Sequence, residues 1–408
     1  MSHTTWEKYV KECRYRHNTS PHAWRMATFK YGDKQPSEHP DTAWHTACPS
    51  TLGTVDISDC LDIPDNVIED EDVVRKFVSR HAFNGSIVWC EGQMFLYFRA
   101  DGPCPWHDGA WATMSTLWVT RLYEDPLKPG GYDLIMPRRV MFDIPDSFVD
   151  DIGGRRICSQ TNSREVRIGR GQRAEDPRAY VDGWGLLHVV IGNGFQVYDL
   201  SVDHVSGHTV QKVRALSSHL GSSCEKNWVP FLNTKGESCF IRWTTSNIHE
   251  VIVHKYDSRR PRHIEVVSVN TEHSMPASWF TDGFTGIRGG CIAEYSKTHN
   301  LHIFHSQRVS REGAVQYVAG ALVFSKSPPY KVSQVTQKPL WKSELIPPSI
   351  PRMNTRLASF YPCGALVTSK MPLGDAASWT ISGGFNDWKV AIVHLTKREL
   401  DENLIPVH

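Results

Sequence analysis

The sequence predicts an all-β fold, and its pattern favours a β-propeller over a β-sandwich. Short runs rich in β-branched and aromatic residues alternate with turns of Gly, Asn or Asp, which is typical of antiparallel hairpins. Long amphipathic helical patterns are scarce. The hairpins follow one another at intervals of some tens of residues, the range that one propeller blade occupies. No internal repeat is strong enough to exclude the sandwich.

Five hairpins can be placed along the chain. They cover residues 86–100, 179–192, 228–243, 291–306 and 363–384. A further β-branched or aromatic segment accompanies most of them, at 115–123, 195–201, 250–256, 317–324 and 388–395. The first seventy residues are rich in His, Pro and Asp and lack this pattern. We therefore predict an irregular N-terminal extension over residues 1–70, packed on a β domain over residues 71–408.

Composition and charge narrow the possible classes of function. The 408 residues are 40% hydrophobic and 22% charged, with a formal net charge of +1. This balance argues against a nucleic-acid-binding protein that depends on bulk electrostatics. No apolar run is long enough to cross a bilayer and the N-terminus is polar, so we expect no membrane span and a cytoplasmic location. The ten cysteines include no CxxC pair, so we expect reduced thiols and no metal site.

Polar and charged clusters stand next to the hairpins at comparable positions. Each cluster by itself is more typical of a solvated turn. In a propeller, however, the inner strands begin at the same end of a central channel, so these side chains are expected to converge there. The residues concerned are Glu175, Asp176 and Arg178, then Lys226 and Asn227, Arg288, His305 and Asp387. Guanidinium groups match phosphate oxygens bidentately, so the pattern indicates a carbohydrate or phosphate site.

The order of these motifs resembles a family of five-bladed β-propellers. That family contains the β-mannoside phosphorylases, related inverting glycoside hydrolases and β-1,2-mannosyltransferases. The resembling series is EDPR (175–178), EKNWVPF (225–231) with FIRW (240–243), GIRGGCI (286–292) with LHIFHS (301–306), YVAGALVF (317–324), and FYPCGALV (360–367) with SGGFNDWKVAI (382–392). It covers about residues 165–395, with a weaker start at FNGSIVW (83–89) and LYFRA (96–100). The resemblance implies a five-bladed β-propeller. The irregular N-terminal extension departs from the family's pattern, and the predicted fold is this all-β propeller with that extension.

The resemblance also implies roles for individual residues. Asp176 matches the family's general acid, and Glu175 or Arg178 would orient it or bind sugar hydroxyls. The remaining substrate-binding positions would be Asn84, Arg99, Asn227, Arg288 and Asp387. The phosphate-binding set would be Lys226, Arg242, His305 and Tyr317. Burial and a neighbouring carboxylate raise the pKa of an acid and nearby arginines lower it, so the sequence leaves the direction of the pKa of Asp176 open.

We predict an inverting glycan-active transferase, either a glycosyltransferase or a glycoside phosphorylase. It would move a hexosyl unit, mannosyl or similar, between an activated sugar phosphate and a glycan acceptor, without a cofactor. The donor would be a sugar 1-phosphate or a nucleotide sugar, and the oligomeric state is left open. One alternative is an inverting glycoside hydrolase that uses Asp176 with a second carboxylate, such as Glu225 or Asp387. Another is a carbohydrate-binding propeller without chemistry.

Overall fold

The computed structural model is a five-bladed β-propeller, as predicted. The residues that the structure describes are 46–48, 54–56, 81–101, 106–107, 110–111, 115–124, 132–134, 137–140, 142, 174–192, 196–216, 227–256, 264–276, 279–280, 286–309, 315–340, 360–367, 378–385 and 389–408.

The strands follow the chain in this order. The first nine are β1 (Thr46–Cys48), β2 (Thr54–Asp56), β3 (His81–Cys90), β4 (Gln93–Asp101), β5 (Trp106–His107), β6 (Ala110–Trp111), β7 (Ser115–Glu124), β8 (Tyr132–Leu134) and β9 (Arg138–Arg139). The next eight are β10 (Glu175–Val181), β11 (Leu187–Gly192), β12 (Val197–Val202), β13 (Val210–Ala215), β14 (Val229–Leu232), β15 (Ser238–Thr244), β16 (Ile248–Tyr256) and β17 (Ile264–Glu272). The last are β18 (Arg288–Glu294), β19 (His299–Val309), β20 (Val315–Ser325), β21 (Val332–Thr336), β22 (Phe360–Val367), β23 (Ser378–Phe385), β24 (Lys389–Thr396), the helix α1 (Lys397–Asp401) and β25 (Leu404–Pro406).

Five antiparallel sheets form the blades. Blade 1 has the order β1-β8-β7-β4-β3, with β9 on β7, and blades 2 and 3 are β10 to β13 and β14 to β17. Blade 4 is β18-β19-β20-β21-β25 and blade 5 is β2-β24-β23-β22, while β5 and β6 form a separate small hairpin. The strands β3, β10, β14, β18 and β22 each stand at one edge of a blade and contact their neighbours in a closed ring. These are the inner strands, and residues from all of them line a central cavity of about 570 Å³.

Strands from the predicted N-terminal extension, as well as strands from the predicted β domain, form part of the blades. The strands β1 and β2 come from the first seventy residues and lie at the outer edges of blades 1 and 5. The strand β25 near the C-terminus adds an outer strand to blade 4. An outer strand donated from a distant part of the chain covers a sheet edge that would otherwise expose unpaired backbone groups. Most of the first seventy residues lie outside the described part of the chain, so the boundary at residue 70 stays a prediction.

Tryptophans fill much of the space between the blades. Trp118, Trp228, Trp279 and Trp379 are all almost completely buried. The Trp379 indole Nε1 donates a 2.9 Å hydrogen bond to the Glu294 carbonyl oxygen, which ties blade 5 to blade 4. A buried indole needs such an acceptor because its N–H would otherwise lose its hydration without compensation. Large apolar surface and satisfied polar groups therefore act together at the blade interfaces.

Two further predictions from the sequence concern reduced cysteines and membrane spans. Cys90, Cys239, Cys291 and Cys363 are free thiols that are buried within the sheets. Within the described ranges, no helix combines the length and the apolarity that crossing a membrane requires.

Blade 2 contains a buried network of charges. The His188 Nδ1 atom lies 3.1 Å from the Asp199 Oδ1 atom, and the His188 Nε2 atom lies 3.3 Å from the Asp182 Oδ2 atom. Arg214 forms an ion pair with the other oxygen of Asp199. Burial alone would lower the pKa of His188, but the two carboxylates outweigh it and raise that pKa to about 9. Burial would raise the pKa of Asp199, but His188 and Arg214 hold that pKa at about 2.

This network predicts how stability depends on pH. Because the pKa of His188 is higher in the folded protein than its ordinary value, its contribution is complete below about pH 6.5 and is lost as the pH rises through about 9. The loss should reach about 3 kcal/mol of unfolding free energy. The contribution of Asp199 is lost only in acid, as the pH falls from about 4 towards 2.

Urea unfolding of the wild type and of His188→Gln at pH 6.5 and 9 measures the contribution of His188 to the free energy of unfolding. The wild type should be distinctly less stable at pH 9, and most of that difference should vanish in the variant. His204→Gln is the matched control, because the side chain of His204 is 38% exposed and pairs with Glu91 on the surface. Equal pH dependence in the wild type and in His188→Gln would refute this account of the network.

Candidate active site

The site is built from irregularities at the start of the inner strands. Pairing registers shift between Phe83 and Ser86 in β3, Glu175 and Arg178 in β10, Arg288 and Cys291 in β18, and Pro362 and Gly364 in β22. Such bulges redirect side chains and are common next to active sites. Residues with left-handed backbone lie in three of these bulges and just before β14, namely Asn84 (φ 53°), Asp176 (φ 49°), Asn227 (φ 65°) and Gly289 (φ 42°). Blades 1, 2 and 4 thus combine a bulge with a left-handed residue where the inner strand begins.

Asp176 is the centre of the resulting cluster. The Asn84 Nδ2 atom donates a 2.7 Å hydrogen bond to Asp176 Oδ1, and the Tyr361 hydroxyl lies 2.9 Å from Asp176 Oδ2. The Arg99 Nη1 atom lies 3.7 Å from Asp176 Oδ1. These three partners come from blades 1 and 5, so the site forms only when the propeller closes.

The surroundings of Asp176 keep its carboxyl ionised. Burial by itself raises the pKa of this carboxyl, but the positive charges of Arg99 and Arg178 oppose that effect. With the hydrogen bonds from Asn84 and Tyr361, they hold the pKa of Asp176 below its ordinary value. The resting state is therefore a carboxylate, the form that accepts a proton.

Arg178 links four blades and holds the main chain of the site. Its Nη1 atom donates to the carbonyl oxygen of Asp176 at 2.9 Å, and its Nε atom donates to that of Gly290 at 2.9 Å. Its Nη2 atom lies 3.3 Å from Asn227 Oδ1 and 3.4 Å from the Tyr361 hydroxyl oxygen. A guanidinium that makes this many fixed contacts is suited to positioning Asp176. These contacts are the ones expected if Arg178 orients Asp176. Its predicted contact with sugar stays a prediction.

His305 and two tyrosines form an aromatic wall beside the carboxylate. The ring of His305 lies 4.0 Å from that of Tyr361 and 5.8 Å from that of Tyr317, measured between centroids. Burial lowers the pKa of His305 well below its ordinary value, and the charges of Arg178 and Arg288 lower it further. His305 is thus a neutral imidazole at neutral pH. Tyr317 and His305, both predicted as phosphate-binding residues, do lie together.

Two glycines leave room for the polar side chains. A Cβ atom added at Gly384 would lie 2.0 Å from Asn84 Oδ1, so the glycine makes space for the amide that holds Asp176. A Cβ atom added at Gly289 would lie 2.8 Å from the Arg178 Nη2 atom. The motifs SGGF and IRGG therefore contribute space, which explains why small residues stand at these two positions.

The remaining residues that were predicted for the site are spread over blades 2, 3 and 4 or lie outside the described residues. Arg288 pairs with His305 across β18 and β19, and so stands beside the aromatic wall. Glu175 precedes Asp176 on β10 and pairs with Gly192 across the sheet. Arg242 lies on β15 and forms an ion pair with Glu250 at 3.1 Å, so its charge is already compensated within blade 3. Lys226 and Asp387 lie outside the described residues, as does Glu225, and their roles stay predictions.

Sequence reasoning missed Tyr361. The motif FYPCGALV was noted as part of the series, but its tyrosine was given no role. The missing signal is positional, because Tyr361 stands next to the bulge of β22 much as Asp176 stands in that of β10. Aligning the four inner strands that contain bulges on those bulges would have placed Tyr361 in the site.

No protein-family model and no curated protein matches this chain. Among solved structures, a protein of Parabacteroides distasonis assigned to the glycoside hydrolases has 14% identity and a TM-score of 0.50, covering 83% of this chain and 98% of that one. A β-1,2-mannobiose phosphorylase from Listeria innocua has 15% identity and a TM-score of 0.45, covering 83% and 97%. A mannose phosphorylase from Leishmania mexicana, solved with a phosphate ion, has 12% identity and a TM-score of 0.42, covering 79% and 85%.

The first of these structures, from Parabacteroides distasonis, belongs to a class of protein that the motif order resembles. At such identities a likeness shows the fold and nothing finer, and the first of the three supports the propeller architecture.

Proposed function

We propose that the protein is an inverting glycan-active transferase with Asp176 as its general acid and base. The observation that carries this proposal is the carboxylate of Asp176 at the start of an inner strand, held by Asn84 and Tyr361 and kept ionised by Arg99 and Arg178. A perturbed, preorganised carboxyl at a channel mouth is a feature of catalytic sites. The motif order points to the same residue.

In the synthetic direction, Asp176 acts as a base on the acceptor. The carboxylate takes the proton of an acceptor hydroxyl while that oxygen attacks the anomeric carbon of the donor. The bond from the anomeric carbon to the phosphate oxygen breaks, and its electron pair leaves with the phosphate. In the reverse direction Asp176 returns the proton to the glycosidic oxygen as phosphate attacks. Each direction is a single displacement that inverts the anomeric carbon.

The charges around the site favour a donor that carries phosphate. Arg99 lies 3.7 Å from Asp176 and Arg288 stands opposite His305 in the ladder, and a guanidinium binds phosphate oxygens bidentately. Lys226, His305 and Tyr317 would complete this anion site. Arg242 would join it only by leaving Glu250. We favour a glycosyl transferase that works from a sugar 1-phosphate or nucleotide sugar, with phosphorolysis as the reverse or alternative reaction.

The hydrolase alternative depends on a second carboxylate that activates water. Its candidates, Glu225 and Asp387, lie outside the described residues. The lowered pKa of Asp176 means that the carboxyl starts as the carboxylate, which is the form that the synthetic direction requires.

A donor panel tests the proposal. Sugar 1-phosphates and nucleotide sugars, mannosyl donors first, are incubated with manno-oligosaccharide acceptors, and a β-mannoside is incubated with and without phosphate. New glycan from one donor is the expected result, and the anomeric configuration of the product should be inverted. Cleavage of the β-mannoside only with phosphate would make the enzyme a phosphorylase, and equal cleavage without phosphate would make it a hydrolase. Glycan binding without turnover on any substrate would refute the enzymatic proposal.

A further inference from the structure

The Tyr361 hydroxyl stands between two acceptors. Its oxygen lies 2.9 Å from Asp176 Oδ2 and 2.8 Å from Asn227 Oδ1. A phenol has one proton to donate and can also accept hydrogen bonds. It can therefore donate to only one of these two oxygens at a time. The direction of its hydrogen bonds must depend on where the other protons in the site are.

We propose that Tyr361 and Asn227 form a reversible hydrogen-bond relay that stabilises both protonation states of Asp176. When Asp176 is a carboxylate, Tyr361 donates to its Oδ2 atom. When Oδ2 carries a proton, that proton is donated to the Tyr361 oxygen, and the Tyr361 proton turns to Asn227 Oδ1. Asp176 Oδ2, the Tyr361 hydroxyl and Asn227 Oδ1 each keep a partner in both states, since Arg178 Nη2 lies 3.3 Å from Asn227 Oδ1. The relay rests on the proposed function, in which Asp176 gains and loses a proton in each turnover.

The setting of the relay is rigid, as a reversible switch of hydrogens requires. Asn227 is fixed by its left-handed backbone and by the Arg178 Nη2 atom at 3.3 Å. The ring of Tyr361 packs against His305. In such a fixed site only the hydrogens need to move, so neither state requires the heavy atoms to reorganise. Tyr361 and Asn227 are thus positioning residues that act through Asp176.

Several other groups also influence Asp176 and must stay constant in a test. The charged and titratable groups that face it are Arg99 from blade 1, Arg178 from its own strand, His305 from blade 4 and Tyr361 from blade 5. His305 is neutral, so the two arginines supply the fixed charge. Variants that leave both arginines in place therefore report on the relay.

Two variants should move the titration of Asp176 in opposite directions. Tyr361→Phe removes the donor to the carboxylate, so the midpoint should rise by about one pH unit. Asn227→Gly keeps the left-handed backbone at φ 65° but removes the acceptor that the protonated state needs, so the midpoint should fall by about half a pH unit. A merely structural role would not produce shifts of opposite sign.

Difference infrared spectroscopy measures these midpoints directly. The carbonyl band of protonated Asp176 is identified by its absence in Asp176→Asn. Tyr97→Phe is the matched control, because Tyr97 is a buried tyrosine whose hydroxyl donates to the Gly207 carbonyl oxygen at 2.7 Å, away from the site. The midpoint should be unchanged in this control. Shifts of the same sign in Tyr361→Phe and Asn227→Gly, or none in either, would overturn the relay.

Measurements of turnover in the same variants distinguish an error in the relay from an error in the proposed function. If both hold, the acid limb of the pH–rate profile follows the infrared midpoint in each variant. If Asp176→Asn abolishes turnover but the two variants leave the midpoint in place, the function stands and the relay fails. If the midpoints shift as expected but Asp176→Asn keeps full turnover, the hydrogen-bond geometry is right and the assigned function is wrong.

Discussion

Replacing Asp176 with asparagine is expected to lower turnover by about 10² to 10⁴-fold without unfolding the protein. The amide cannot accept or return a proton at the reacting oxygen. Asparagine tolerates the left-handed backbone at φ 49° as well as aspartate does, so the bulge of β10 should survive. The rate of glycan formation from the active donor, measured at the pH optimum, gives the size of the loss.

Two comparisons make this result decisive. Asp401→Asn removes a carboxylate from the surface helix α1, where it pairs with Lys397, and should leave turnover unchanged. Circular dichroism and thermal unfolding should show that Asp176→Asn keeps the wild-type fold. Turnover by Asp176→Asn within a few-fold of the wild type would remove Asp176 from the chemistry.

Replacing Gly290 with alanine is expected to cause the largest loss of stability, more than about 4 kcal/mol. Gly290 has φ 103°, a conformation that L-residues avoid, and an added Cβ atom would lie 1.9 Å from the Ile303 carbonyl oxygen. That oxygen belongs to the neighbouring strand β19 and cannot move without disrupting the ladder. The carbonyl oxygen of Gly290 also accepts from Arg178 Nε, so any shift reaches the site. Urea unfolding, or the yield of folded protein, measures the effect.

Gly185→Ala isolates the steric part of this prediction. Gly185 also has a positive φ, of 85°, but an added Cβ atom would meet no heavy atom within 4 Å. This control should cost only the conformational strain, about 1 to 2 kcal/mol. A loss of similar size in the two variants would mean that the contact with Ile303 is relieved by local adjustment.

The strands were predictable from sequence except at their beginnings. All five predicted hairpins exist, but the hairpin predicted from residue 86 begins with β3 at His81, and the one predicted from residue 291 begins with β18 at Arg288. The reason is physical, because a bulge breaks the period-two alternation by which a strand is recognised. The pattern therefore becomes visible only after the bulge. The polar residues of the site occupy the part of each inner strand that the pattern hides.

The sequence allowed the residues of the candidate site to be proposed, but it did not allow their contacts to be predicted. The resemblance pointed to Asp176, Asn84 and Arg99 as site residues, and in the structure Asn84 lies 2.7 Å and Arg99 3.7 Å from the Asp176 carboxylate. The direction of its pKa required the balance between burial and the two arginines. The resemblance implied a phosphate-binding role for Arg242, and the structure adds that Glu250 on the next strand forms an ion pair with it.

By itself, the sequence determined the all-β architecture, the placement of the hairpins and the carboxyl on which the proposed chemistry depends. These follow from alternation, turn residues and motif order, all of which are local along the chain. Only the tertiary structure decided that Asp176, Asn227 and Tyr361 share a chain of hydrogen bonds. These residues lie on three blades, and the closure of the propeller brings the Tyr361 hydroxyl within 3 Å of both Asp176 Oδ2 and Asn227 Oδ1. Contacts across a ring depend on how every blade packs against the next, and no local pattern encodes them.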